Sequence, residues 1–242
     1  MTATGATLGE LVAQRPARAA VFESLGLDFC CGGGRTIAEA CNEQALDPAR
    51  VAKLIDLAPG PAPLPAESHD IAQASLTEIC DHIVASHHDR LRRELPQIAD
   101  MIESVIRVHG PADPRLHELG PLFAHLWDSL EPHLETEEQL LFPACRALDS
   151  ADHEAASIDD AAIADYEHNH HVVGAALEAL SELTGGYDQT RALCRTHRRL
   201  LGALHALELD LHQHVHEENN ILIPRLRTAL ARAASVPPGT VR

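Results

Sequence analysis

Two short stretches of this 242-residue chain hold residue types that bind metal ions. The first is His212-Gln213-His214-Val215-His216-Glu217-Glu218-Asn219-Asn220-Ile221-Leu222-Ile223-Pro224. His214 and Glu218 stand four apart, so a helix places them one turn apart on one face. Leu207 and Leu211 precede them on that face and Ile221 and Leu222 follow, which points an imidazole and a carboxylate at a core. A buried charge needs a partner, and a metal ion supplies one. Taken alone, the stretch also reads as a solvated, histidine-rich helix face. The second stretch, His133-Leu134-Glu135-Thr136-Glu137-Glu138-Gln139-Leu140-Leu141-Phe142-Pro143, repeats the pattern. His133 and Glu137 are four apart, and Pro143 follows Glu137 by six residues, as Pro224 follows Glu218. Two copies 81 residues apart, in register, read as a duplicated helical hairpin. Bundles build two-metal sites from facing helices in this way.

The elements that must position these motifs are helices. The apolar periodicity predicts four long ones, at about 71–108 with a bend near Pro96, 114–148, 158–183 ending at Gly185-Gly186, and 189–234. Strand-like alternation is missing, so the expected fold is all-α, an up-down four-helix bundle. The two His-x-x-x-Glu motifs fall on the second and fourth helices, and a closed site needs ligands from the first and third. On the first, His88 shares its face with Val84, Leu91, Leu95 and Ile98, whereas His87 shares a mostly wet face with Ile83, Arg90, Glu94 and Gln97. On the third, His170 lies with Tyr166, Val173, Leu177 and Leu180, while His168 lies with Ala164, His171, Ala175 and Glu178. His88 and His170 are the better ligands. The constellation is then His88, His133, Glu137, His170, His214 and Glu218. Six donors are too many for one tetrahedral zinc. Shared between two ions, with the carboxylates bridging, they leave open positions, and mixed nitrogen and oxygen donors suit iron. Donor type alone leaves manganese and zinc open.

Composition narrows the function classes. The chain is 45% hydrophobic but only 3% aromatic, rich in alanine and leucine, which favours helices over sheets. A net charge of −17 argues against nucleic acid or an anionic membrane as partner. No apolar run approaches the ~20 residues of a membrane span, and the N-terminus shows no basic region followed by an apolar stretch, so no signal peptide is expected. Of the six cysteines only Cys30 and Cys31 are close-set. That is not a secreted disulfide framework, and the expected compartment is the reducing cytoplasm. Cys41, Cys80, Cys145 and Cys194 read as isolated packing residues.

Residues 1–57 read as a small helical domain with helices at 8–13, 16–25, 36–44 and 48–57. Between the second and third lies Gly26-Leu27-Asp28-Phe29-Cys30-Cys31-Gly32-Gly33-Gly34-Arg35. Thr36 can cap the next helix, so the cysteine pair sits ahead of a helix N-terminus, where the partial positive charge and Arg35 are expected to lower thiol pKa. Paired thiols in a glycine loop point to a reactive or metal-binding role. Residues 58–67 are a proline-rich linker, semi-rigid and extended, and residues 68–236 form the bundle.

Leu27-Asp28-Phe29-Cys30-Cys31-Gly32-Gly33, with Ala40-Cys41, resembles the short N-terminal domain of the iron–sulfur cluster repair di-iron proteins, the repair-of-iron-centres family. The stretch from Asp210 to Pro224 resembles that family's last helix, and Glu137 to Pro143, Arg107-Val108-His109-Gly110 and Leu183-Thr184-Gly185-Gly186-Tyr187 also fit. The resemblance implies a hemerythrin-like bundle with a carboxylate-bridged centre of two non-haem iron ions. Its four histidines and two bridging glutamates fall on His88, His133, His170, His214, Glu137 and Glu218. Three positions depart from the family pattern. Ser129 stands where a glutamate is usual, Asn169 replaces the glutamate before the third-helix histidine, and Ile223 replaces a phenylalanine. The second change keeps His168 open beside His170.

The resemblance further implies repair of iron–sulfur clusters damaged by nitrosative or oxidative stress, with the protein as iron donor. Its partners would be damaged iron–sulfur proteins, with nitric oxide or oxygen as small ligands and a homodimer as one possible state. Cys30 and Cys31 would relay iron or electrons. Two alternatives stand beside this reading. One is an enzyme coupling two nitric oxide molecules to nitrous oxide, and the other is a hemerythrin-like sensor that binds nitric oxide or oxygen reversibly.

Overall fold

The computed structural model describes residues 5–59, 71, 73–150 and 158–235. Described residues 58 and 59 belong to the expected linker, and the rest of it lies outside the described residues. The helices are α1 (Leu8–Gln14), α2 (Arg18–Ser24), α3 (Ile37–Glu43), α4 (Pro48–Leu57), α5 (Leu76–Ile83), α6 (Asp89–His109), α7 (Leu119–Thr136), α8 (Phe142–Asp149), α9 (Asp160–Thr184), α10 (Arg195–Glu217) and α11 (Ile223–Ala234). The fold is all-α, as expected. Among the described residues no helix is long and apolar enough to cross a membrane.

Local chemistry sets the helix starts. Thr7 and Thr36 each form a capping box with the glutamate three residues on, Glu10 and Glu39. Asp47 caps α4, with Pro48 in its first turn. The α9 helix ends at Gly185, whose φ of 65° closes the last turn.

The chain forms two compact units. One comprises His82–Phe142 and Ile158–Leu211. Its core is a stripe from each of four helices: Leu91, Leu95, Ile98 and Ile102 of α6; Phe123, Leu126 and Leu130 of α7; Val173, Leu177 and Leu180 of α9; Leu200, Leu204, Leu207 and Leu211 of α10. The three-and-four spacing turns each stripe to one side, and each such side chain contributes roughly 1.5–3 kcal/mol by burial. Pro96 lies inside α6 without ending it.

The other unit comprises Met1–Asp81, Pro143–Ser157 and His212–Arg242. Leu8, Leu11, Phe22, Phe29, Ile37, Val51 and Ile55 form the core of its N-terminal helices. In the same unit α5 meets α8. Thr77 N donates to Asp149 Oδ2 at 2.7 Å, and Arg146 Nη2 lies 2.6 Å from Asp81 Oδ1. That antiparallel register sets Cys80 against Cys145, both fully buried and within hydrogen-bonding reach of each other. The expectation that these two are isolated is therefore corrected. So is the reading of Cys194 as packing, because its thiol is exposed and accepts from His197 N at the start of α10.

Three of the long helices expected from sequence are interrupted by one wide turn each, at Val84–His88, Glu137–Leu141 and Glu218–Leu222. In each the closing amide reaches back five residues, from Asp89 to Val84, Phe142 to Glu137 and Ile223 to Glu218. Such π-turns are rare and cluster at functional sites. Pro143 and Pro224 have no N–H, so the carbonyls of Gln139 and Asn220 lose the partner an unbroken helix would give them. The repeated proline six residues after each glutamate thus marks a π-turn.

Candidate metal centre and thiol turn

The π-turns carry the chemistry. In the bundle unit they present His88 and Glu137, both fully buried. His133, one turn before Glu137, and His170 on α9 are 4% and 2% exposed. These four converge. His133 Nε2 lies 3.0 Å and His170 Nε2 3.8 Å from Glu137 Oε1, while His88 Nε2 lies 3.4 Å from Oε2. The Nε2 atoms of His133 and His170 are 3.0 Å apart. The carboxylate therefore divides its imidazoles, two on one oxygen and one on the other.

His88 Nδ1 lies 2.7 Å from Glu138 Oε1, which Arg92 Nη1 also approaches at 2.9 Å. Burial opposes charge on Glu138, but the hydrogen bonds from Arg92 and His88 prevail and hold its carboxyl below the usual range. The Glu138 carboxylate at Nδ1 orients the His88 ring so that Nε2 faces the Glu137 carboxylate. Buried imidazole nitrogens gathered around a buried carboxylate are the donor types of a metal site, and the residues present fit a cation. This is also the usual support for a metal-bound histidine. Glu138→Ala is expected to weaken metal binding about 10–100-fold without abolishing it, as measured by competitive titration against a chromophoric chelator.

The histidines that sequence left in doubt are now separated. His168 and His171 are exposed, and His170 is buried. His87 does not face water as expected: it is 5% exposed, with Nδ1 3.1 Å from Asp210 Oδ1. Arg90 Nη1 reaches the same oxygen at 3.0 Å. The π-turn lets His87 and its neighbour His88 both point inward. Ser129, at a family glutamate position, donates to its own helix at His125 O, and Asn169 is exposed.

The second unit holds the other motif. His214 and Glu218 are 1% and 0% exposed, with His214 Nε2 3.0 Å from Glu218 Oε1. A solvated helix face is excluded for this stretch. The same helix end has a second stripe, His212, His216 and Asn220, at i, i+4 and i+8, and it receives the cysteine turn. Asn220 Nδ2 donates to Cys30 O at 2.9 Å and to Phe29 O at 3.3 Å. The Phe29 ring lies edge-on to His216, centroids 5.6 Å apart. Burial pushes the His216 imidazole down to about 4, so it packs as a neutral ring. Gly9 and Gly33 leave room for Asn220: a Cβ on either would lie 2.2 Å from its Oδ1. Sequence reasoning missed this stripe. Its only sign was polar residues four apart, and their partners lie about 190 positions away.

Within the turn, Asp28 organises the backbone. Its Oδ1 accepts from Cys30 N at 3.1 Å and Cys31 N at 3.0 Å, and its Oδ2 from Gly32 N at 2.8 Å. The Leu8 and Gly9 amides of α1 donate to Arg35 O and Gly33 O, both at 2.8 Å. The expected lowering of thiol pKa is overturned for Cys30. Its hydrogen bond with Cys31, burial and the nearby Asp28 carboxylate all raise it well above the usual value. Arg35 is engaged with Glu43 and the Gly32 carbonyl.

Residues 4–58 match the ScdA_N family, described as a domain of unknown function (DUF542), and residues 81–226 match the hemerythrin HHE cation binding domain. The chain is 36% identical over 220 residues to the iron-sulfur cluster repair protein YtfE of Musicola paradisiaca. It is 35% identical over 222 residues to the protein of that name in Yersinia pseudotuberculosis, and 33% over 223 residues to that of Pectobacterium carotovorum. Each alignment covers 90% of this chain and 95% of the relative.

Proposed function

We propose, because this chain belongs to the iron–sulfur cluster repair family of hemerythrin-domain proteins, that it repairs damaged iron–sulfur clusters by supplying iron held in its bundle. The carrying observation is the fully buried Glu137 with imidazoles divided between its two oxygens. In this reading His88, His133, Glu137, His170, His214 and Glu218 would hold two iron ions, the glutamates as shared carboxylate donors. The repeated motif, the π-turn at each glutamate and the near-complete burial of both pairs support it. Carboxylate and imidazole donors bind iron(II) while leaving open positions, which supplies a labile cargo.

The chain's own residues then have distinct tasks. Glu138 orients His88 through Nδ1. Glu137 and Glu218 hold the cargo as carboxylates and loosen their grip when protonated. Cys30 and Cys31 accept iron as thiolates, and because Cys30 is held protonated, iron arriving there must displace a proton. The domain reading is a module at 1–57, a linker at 58–67 and a bundle at 68–236. Damaged iron–sulfur proteins of the cytoplasm are the clients, with nitric oxide or oxygen as small ligands, and an acidic chain of net charge −17 does not take nucleic acid as partner.

The test is repair of a nitric oxide-damaged [4Fe–4S] protein. Cys30→Ala/Cys31→Ala protein is expected to hold iron as wild type does and yet restore the client no faster than free iron(II) does. Wild-type repair rates from this variant would remove the thiol relay. Wild-type protein that loads iron and restores nothing would remove the repair reading.

A further inference from the structure

The π-turn that bears Glu218 also bears Asn220. The amide of Ile223 reaches the Glu218 carbonyl, closing a ring of backbone that includes Asn219 to Leu222. Inside that ring Asn220 turns the opposite way from Glu218. Glu218 is fully buried beside His214, and Asn220 grips the carbonyls of Phe29 and Cys30. Its amide oxygen is walled by Gly9 and Gly33, neither of which has space for a methyl group. One short hydrogen-bonded turn therefore connects a carboxylate in the core to the backbone of a cysteine. A carboxylate drawn onto a cation shifts its own backbone, and a packed turn moves as a unit.

Resting on the reading of Glu218 as a metal ligand, we infer that Asn220 is a positioning residue that couples the Cys30–Cys31 turn to Glu218, so that thiol reactivity changes with metal occupancy of that carboxylate. By linkage, a thiol modification whose free energy depends on metal occupancy changes iron affinity in turn. The device would let a loaded protein present its thiols differently from an empty one. It also gives a reason for an asparagine at this position. Alanine makes neither hydrogen bond, and aspartate would set a carboxylate against two carbonyl oxygens.

The experiment uses the full chain, metal-free or loaded anaerobically with iron(II) alone. Alkylation rates of Cys30 and Cys31 by iodoacetamide are read by peptide mass spectrometry. Wild-type rates are expected to differ by about 5-fold or more between the two states, the lower end of typical coupling. Asn220→Ala is expected to bind the same amount of iron and to show one rate in both states. Gly9→Ala, which crowds the Asn220 oxygen, is expected to uncouple likewise and to add nothing in the Asn220→Ala background. Direct ligation of the thiols by iron would survive in Asn220→Ala, so a persisting difference there overturns the coupling. Wild-type protein that takes up iron with unchanged thiol rates overturns it as well. Wild-type protein that takes up no iron overturns the metal reading, and this inference with it.

Discussion

Glu137→Ala protein, purified without added metal, is expected to contain less than a tenth of the wild-type iron by elemental analysis. The reason is the geometry of one carboxylate. Glu137 Oε1 faces His133 and His170, and Oε2 faces His88. Removing it takes away at once the carboxylate oxygens that face three buried imidazoles. Loss of a supporting residue outside the ligand set costs about 10–100-fold in metal affinity, so loss of a shared ligand should exceed about 100-fold, near 3 kcal/mol at 1.4 kcal/mol per decade. Glu135→Ala, two residues away on the exposed side, is the control and should keep its iron. Glu137→Gln tests charge against volume: it fills the space, lacks the anion, and should also lose metal. Wild-type iron in the alanine variant would end the proposal that Glu137 bridges.

Stripping the metal from wild-type protein should lower its melting temperature by about 8–16 °C. A ligand bound only by the folded state stabilises it by about 4 kcal/mol at a thousandfold excess over Kd, and a chain of this size shifts roughly 2–4 °C per kcal/mol. The site offers a physical reason for the loss. His88, with its Nδ1 held by Glu138, turns Nε2 toward Glu137, and His133 and His170 bring two ring nitrogens to 3.0 Å. A cation among these groups would add coordinate bonds that the metal-free protein lacks. Calorimetry before and after chelation, with iron restored as the control, reads this directly. Equal melting temperatures with and without bound iron would show that the metal adds nothing to the stability of the folded state.

Much of this architecture was legible from residue periodicity, because packing of an apolar stripe decides both. Leu91, Leu95 and Ile98 mark one face of α6, and Val173, Leu177 and Leu180 one face of α9. Capping was legible too, since Thr36 with Glu39 is a local device needing no distant partner. The π-turns were not read. The proline after each glutamate was visible, but a regular helical wheel assumes 3.6 residues per turn, and one added residue rotates everything beyond it by about 100°. That is why His87 was assigned to water and lies buried against Asp210. Contacts between distant segments were likewise out of reach. The Cys80–Cys145 approach depends on α5 meeting α8, and the Asn220 grip on the cysteine turn on segments about 190 residues apart. The expected lowering of the thiol pKa failed for a related reason. A helix start and an arginine are visible in sequence, but the hydrogen bond between the two thiols, the burial of Cys30 and the Asp28 carboxylate turned toward it are not.

The Asp28 arrangement bears on survival as well as on chemistry. Peroxide attacks the thiolate, and a thiol that keeps its proton is slow to become a sulfenic acid. A cysteine held as thiolate stands open to the reagent most able to destroy it. With its hydrogen bond to Cys31, burial and the Asp28 carboxylate all raising its pKa, Cys30 keeps its proton, and the turn shields its sulfur from oxidation.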